Sequence, residues 1–361
     1  MRRADYGGGV VVRAEVDAGR TTLVIRAGAD RPSARIGVRW VVVTGLLLAV
    51  AIGIGVVSLG VGDYPMDPLR VLRALGGGAT AMEREIVTEW RAPRVVVALV
   101  FGALLGMSGA IFQSLTRNVL GSPDIIGFGT GAYTGALVVI VLVGGGAFAT
   151  SAGALVGGLA TAVLIYLLAF RSGVQGFRLV IVGIGVSAML AALNTWIIMR
   201  ADLESAMVAA TWGAGTLNGI DWRTATPALI LAAVQVVPAA WIAYRLPYLE
   251  LGDDTAQSLG HRVEGTRLGA VVLGVALTAT ATAVAGPISF VALAAPQLAK
   301  RLTRLPGTSL APAAAMGSLL LVAGDFAAQH AFGAVELPVG VVTSTLGGAY
   351  LVWLLSTRAG R

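Results

Sequence analysis

Residues 39–60 read RWVVVTGLLLAVAIGIGVVSLG, and from Trp40 to Gly62 the chain carries no charged residue. A charge-free apolar run of about 18 residues or more is long enough to cross the hydrocarbon core of a bilayer as a helix. Working outward from this stretch, runs of the same kind recur near 94–113, 125–143, 148–170, 179–199, 224–244, 268–285, 287–303, 309–328 and 338–356. The sequence therefore predicts an all-α polytopic membrane protein with about ten transmembrane helices. The seventh and eighth spans meet at Gly286-Pro287 with almost no loop between them. Composition agrees: 56% of the 361 residues are hydrophobic and 12% are charged, against about 25% charged in a soluble domain. Lipid is the expected solvent for most of the chain.

The formal charge is +7 and the pI near 10.3. In a soluble protein that balance would raise nucleic acid as a partner; here the arginines sit in short connections between apolar runs, where they report topology. With the N-terminus in the cytoplasm, nineteen Lys and Arg fall inside and seven outside. Without the tail the count is eleven against seven, so both termini are expected in the cytoplasm of a multi-pass plasma-membrane protein. The chain has no cysteine and two distant histidines, His261 and His330. No metal centre and no resident cofactor are expected. Residues 1–37 carry seven arginines, with an eighth, Arg39, at the membrane edge, interspersed with Asp5, Glu15, Asp17 and Asp30. They lack the pattern of a cleaved signal. A disordered cytoplasmic tail, or a start placed upstream, fits them, with residues 38–361 as a single transmembrane domain.

Two connections exceed a turn. The outer loop 61–93 holds Asp63, Asp67, Glu83, Glu85 and Glu89, and the inner connection 246–267 reads LPYLELGDDTAQSLGHRVEGTR. The latter is polar and suited to two short helices broken at Gly260, a handle for a soluble cytoplasmic partner. Small residues at Gly102/Gly106, Gly127/Gly131/Gly135 and Gly153/Gly157 have the four-residue spacing that lets helix backbones approach in lipid. Asp325 is the main intramembrane carboxylate, with Asp124 and Glu336 at span edges. One carboxylate near an interface is a thin proton relay, so an externally powered mechanism ranks above ion-coupled transport. Gly260–Thr266 superficially suggests a phosphate loop but lacks the lysine that must reach the phosphates. If ATP drives this protein, another subunit binds it.

Three stretches in order carry a resemblance: WRAPR (90–94) followed by GALLGMSGAIFQSLTRNVLGSPDIIGFGTGA (102–132), AGPISFVALAAPQLAKRL (285–302), and ELPVGVVT (336–343). From about residue 39 onward the chain resembles the iron-chelate and cobalamin permeases of binding-protein-dependent ABC importers. The resemblance implies ten helices in a type II importer permease fold that works by alternating access. The implied partners are a second permease (a heterodimer favoured over a homodimer), two ATP-binding subunits holding ATP and magnesium, and an extracytoplasmic siderophore-binding protein. The implied cargo is a ferric siderophore, with a catecholate of the enterobactin kind favoured. The chain itself breaks no substrate bond.

Site roles follow the same resemblance. Arg91 and Arg94 fall on an outer R-x-P-R motif that receives carboxylates of the binding protein; anchoring a helix end at the headgroups is the bland alternative. Asn118 and Leu120 fall on a cytoplasmic gate, where Val119 replaces the usual proline and puts the rigidity of the turn in doubt. Glu250, Asp253, Asp254, Gln257, Gly260, Arg262 and Glu264 fall on the ATPase-docking segment, with Leu251 and Leu259 as apolar anchors. Gln297 stands where many relatives have histidine, and the last helix reads GGAY where many carry a proline. Gln113, Asn194 and Thr195 are polar candidates for lining the path, or for joining helices. The rival readings keep the machine and change its cargo to cobalamin or haem, or replace it with an ion-coupled transporter or a membrane scaffold.

Overall fold

The computed structural model describes residues 11–17, 20–26, 34–169, 176–305, 307–331 and 336–358. Arg171 and Arg361, counted above for topology, lie outside these, as does much of the tail. Within the tail, β1 (Val11–Asp17), β2 (Arg20–Arg26) and β3 (Ala34–Gly37) pair antiparallel in the order β1-β2-β3. These strands lie within the segment expected to be a disordered tail. Charged residues at 13, 15 and 17 alternate with Val12, Ala14 and Val16, and β2 is rich in β-branched residues; both features favour strands.

Each of the ten expected spans overlaps a helix. In order, the helices are α1 (Val38–Gly60), α2 (Pro68–Leu75), α3 (Ala81–Glu85), α4 (Ala92–Thr116), α5 (Pro123–Ile126), α6 (Phe128–Leu137), α7 (Ala147–Ala169), α8 (Gly176–Arg200), α9 (Leu203–Gly213), α10 (Trp222–Glu250), α11 (Asp253–Ser258), α12 (Val263–Ala285), α13 (Val291–Thr303), α14 (Leu310–His330) and α15 (Val339–Arg358). Among the described residues seven helices are long and apolar enough to cross a membrane. The third span is α6 continued by a π-helical turn, Val138–Val143. The eighth is α13, only 13 residues long. Residues 286–290 are unwound ahead of it, Gly286 and Phe290 both taking positive φ, at 72° and 70°. This backbone is held by protein at both ends: Gly286 N–H donates to the Thr282 carbonyl at 2.9 Å, the Phe290 carbonyl accepts from Ala294 N–H at 2.8 Å, and the neighbouring Ala285 carbonyl accepts from Thr216 N–H at 2.7 Å. Irregular backbone at membrane depth requires such partners.

Helices α4, α12 and α14 form the buried centre, with Phe101, Leu105, Ile111, Leu277 and Leu321 in its core. Glycine makes this possible. A methyl group on Gly102 or Gly106 would collide with backbone at Gly317 or Ala313 of α14, and Gly135 of α6 meets Gly153 and Gly157 of α7 in the same way. The outer surface is apolar, as lipid demands: Phe148, Met189, Val237 and Leu167 all project outward.

Arg117, Arg267 and Lys300 gather at one end of the bundle with the connection 246–267, and Arg91, Arg94 and His330 at the other. By the charge count the first end is cytoplasmic; it is called inner below, and the other outer.

Candidate functional site

The outer end of α4 is built around Pro93. Proline has no N–H to donate to the carbonyl four residues back, and its ring crowds that carbonyl. The turn ahead of it, Ile86–Arg91, is accordingly π-helical and joins α3 to α4. The widened turn sets Arg91 and Arg94 on different partners. Arg91 donates from Nη1 to the Leu59 carbonyl and from Nη2 to the Tyr64 carbonyl, both at 2.9 Å. Arg94 forks onto Asp325 of α14, with Nε at 3.0 Å from Oδ2 and Nη2 at 2.9 Å from Oδ1. Gln329 Nε2 donates to the same carboxylate at 2.8 Å.

Within this chain both guanidiniums have acceptors, Arg91 two backbone carbonyls and Arg94 the Asp325 carboxylate. Each still borders an outer cavity of about 460 Å³, together with Asp63, Gln329, His330 and Glu336. Glu336 accepts from Asn218 Nδ2 at 2.9 Å.

At the inner end α4 stops at Arg117, whose φ of 49° turns the chain out of the helix. Asn118 then holds the turn twice. Its Oδ1 accepts from Leu120 N–H at 3.0 Å, and its carbonyl accepts from Gly121 N–H at 3.0 Å. Those two bonds fix the turn without the proline that Val119 replaces. Val119 and Leu120 project outward, 38% and 44% exposed, as apolar side chains at an aqueous end. A cavity of about 240 Å³ opens beside them, bounded by Gln113, Ser114, Glu250, Gln297 and Lys300.

The candidate ATPase-docking residues divide into two groups. Asp254, Gln257, Gly260, Arg262 and Glu264 are exposed, as are Leu251 and Leu259. Glu250 and Asp253 also bond back to the bundle, Asp253 with its side chain 43% exposed. Helix α10 runs on to Glu250, so the connection begins later than the expected residue 246. Glu250 Oε1 accepts from Ser114 Oγ at 2.5 Å and from Thr308 N–H at 3.2 Å. Asp253 pairs with Arg117 at 3.0 Å and with Arg267 at 2.8 Å. The bonds from Arg267, with the charges of both arginines, hold its carboxyl below the usual range. A single short helix, α11, fills the connection; Gly260 lies past its end at φ 83°.

The three polar residues considered for the path do not converge. Gln113 is buried between α4 and α13: its Oε1 accepts from Gln297 Nε2 at 2.6 Å, and its Nε2 donates to the Leu293 carbonyl at 2.9 Å. Gln113 and Gln297 thus join two helices at the edge of the inner cavity. Asn194 is buried near the outer end of α8, with Oδ1 unpartnered. Thr195 is exposed and donates back to the Ala191 carbonyl at 3.0 Å. Sequence reasoning missed Ser114, Arg267 and Thr308 as partners of the docking segment, and used Arg117 only as a topological charge. Among the described residues no three His, Asp or Glu side chains are grouped so as to hold a metal ion.

This bundle has known counterparts. Residues 47–357 match the FecCD transport family. The chain belongs to that family. It is 49% identical over 310 residues to the ferric enterobactin transport system permease protein FepG of Escherichia coli, across 86% of this chain and 94% of that protein. It is 35% identical over 322 residues to the iron(3+)-hydroxamate import system permease protein FhuG of Bacillus subtilis, across 87% and 95%. The achromobactin transport system permease protein CbrC of Dickeya dadantii is 35% identical over 317 residues, across 86% and 90%. Among solved structures, a metal-chelate type ABC transporter in an inward-facing conformation superposes with a TM-score of 0.77 at 24% identity, covering 87% of this chain and 99% of that one. The chain is a multi-pass transport permease of the cytoplasmic membrane.

Proposed function

We propose that this FecCD-family permease forms the membrane passage of an ABC importer for ferric siderophores, with a catecholate chelate of the enterobactin kind as cargo. The observation that carries the cargo is the 49% identity to the ferric enterobactin permease along nearly the whole of both chains, against 35% to the hydroxamate and achromobactin permeases. A second, different permease completes the passage, two ATP-binding subunits dock below, and a siderophore-binding protein docks above. ATP and magnesium belong to the subunits below; this chain holds no cofactor.

The exposed row Leu251, Asp254, Gln257, Leu259, Arg262 and Glu264 is the surface offered to the ATP-binding subunit. Its two leucines are apolar anchors inside a polar rim, the arrangement that concentrates binding energy. Arg91 and Arg94 order the outer surface on which the binding protein sits: one ties the first loop down, the other ties α4 to α14. Asn118 and Leu120 stand at the inner mouth as the gate.

Uptake of radio-iron by iron-starved cells with and without the gene tests the cargo. Ferric enterobactin uptake lost with the gene and restored by it is the expected result. Loss confined to hydroxamate chelates, or to labelled cobalamin or haem offered in parallel, keeps the importer and replaces its cargo. Uptake that continues when the ATP-binding subunit is deleted points instead to ion-coupled transport.

A further inference from the structure

We propose that Ser114 and Arg117, on the bundle side, and Glu250 and Asp253, on the docking side, form two straps that make the gate turn and the docking helix move as one body. The proposal rests on the reading of α11 and its flanks as the docking segment.

The first strap is the 2.5 Å bond from Ser114 Oγ to Glu250 Oε1. Ser114 lies one turn before Asn118, and Glu250 is the last residue of α10. The same carboxylate accepts from Thr308 N–H, so α4, α10 and the approach to α14 share one acceptor. The second strap is the 3.0 Å ion pair of Arg117 with Asp253. Arg117 immediately precedes Asn118, and Asp253 is the first residue of α11. Arg117 also donates to the Leu249 carbonyl at 3.1 Å, so the residue that ends α4 grips both α10 and α11.

The two straps grip the gate turn from both of its neighbours. Gly252, between Glu250 and Asp253, has φ 105°, and a side chain added there would meet nothing within 4 Å, so the link between the two tied ends is open to solvent rather than packed. On the other side of the turn, Asn118 bonds Leu120 and Gly121, which carries displacement of Arg117 on to the exposed Val119 and Leu120. Hydrogen-bond and salt-bridge networks can carry coupling between two sites, and here the named bonds run unbroken from α11 to Leu120. These four are positioning residues; none is placed against the cargo.

The test uses Ser114→Ala with Arg117→Gln, two residues outside the exposed docking row, in the assembled importer reconstituted with its ATP-binding subunit, companion permease and binding protein. Radio-iron-labelled ferric enterobactin is the probe. The expected result is a complex that keeps its ATP-binding subunit and hydrolyses ATP, while iron moved per ATP falls about tenfold. Ser114→Thr with Arg117→Lys, which keep a hydroxyl and a cation, should restore the ratio. The chain has no cysteine, so nitroxides on Val119→Cys and Gln257→Cys report the straps directly, whatever the cargo. Their distance distribution should be narrow with the straps and broad without them. An unchanged iron-to-ATP ratio overturns the proposal, as does a label distance that stays narrow. Loss of the ATP-binding subunit from the Ser114→Ala, Arg117→Gln complex also overturns it, since the two residues would then belong to the docking surface. The docking reading fails separately, if Asp254→Lys with Gln257→Ala leaves ATP-binding subunit capture intact.

Discussion

Both ends of α4 are fixed by an arginine that meets an aspartate, yet the two pairs are different devices. At the outer end Arg94 and Asp325 are 15% and 3% exposed. At the inner end Arg117 and Asp253 are 51% and 43% exposed, and Asp253 is shared with Arg267. A buried pair is expensive to break, because the partner left behind is an uncompensated charge away from water. An exposed pair is screened, and its bond is worth little against the entropy of holding two side chains still. The outer pair is suited to fixing α4 against α14, and the inner pair to tying the gate turn to α11 by a contact that salt can loosen.

The largest effect is expected from Asp325→Ala. It strands Arg94 and removes the acceptor of Gln329, which should cost about 3–5 kcal/mol of stability. Thermal unfolding in detergent would show it, and Arg94→Ala added to Asp325→Ala should recover much of the loss, since no charge then stays unpaired. A single mutant that unfolds like the wild type would mean that water reaches Arg94, and the contrast between the two ends would collapse.

How much of this contrast was legible in the sequence follows from the same residues. The ten apolar runs, the exposed polar row between Leu251 and Glu264 and the small-residue seams are local patterns, and a local period survives in sequence. Asp325 was legible as an intramembrane carboxylate, but its partner stands 231 residues away, and pairing across packed helices leaves no period. Glu250 and Asp253 read as surface charges because a polar segment looks solvated throughout; which way each side chain turns depends on where α10 stops. The shortness of α13 was hidden because Pro287, Ile288 and Phe290 are as apolar as helix residues while forming unwound backbone. The strands of the tail were hidden by the opposite error, dense charge obscuring a period of two.

An intermediate effect is expected from Arg91→Ala. Two hydrogen bonds from a charged donor to the Leu59 and Tyr64 carbonyls disappear, at a cost of about 1.5–3 kcal/mol. The loss should be local. Hydrogen exchange should quicken in residues 59–66 and stay slow along the seam of α4 with α14. Quickening along the seam as well would show that the outer end is one cooperative unit rather than a loop tied to a rigid pair.

The smallest effect, and the one that bears most directly on the inner joint, is expected from Asp253→Asn. An exposed pair of this kind contributes about 0.2–1 kcal/mol. Its sign with pH is fixed by the arginines. Hydrogen bonding from Arg267 and the charges of Arg267 and Arg117 hold the Asp253 carboxyl below the usual range in the folded chain. The unfolded chain therefore takes up the proton first, at about pH 4. The stabilisation is complete above that pH and disappears as the pH falls through the lower, folded value. Melting curves of wild type and Asp253→Asn should accordingly run parallel from pH 7 to about pH 5 and converge below about pH 4. High salt should narrow the gap at pH 7, because the pair is open to screening, and should leave the loss caused by Asp325→Ala almost unchanged. If salt moves both gaps equally, burial does not separate the two pairs, and the inner joint is as rigid as the outer one.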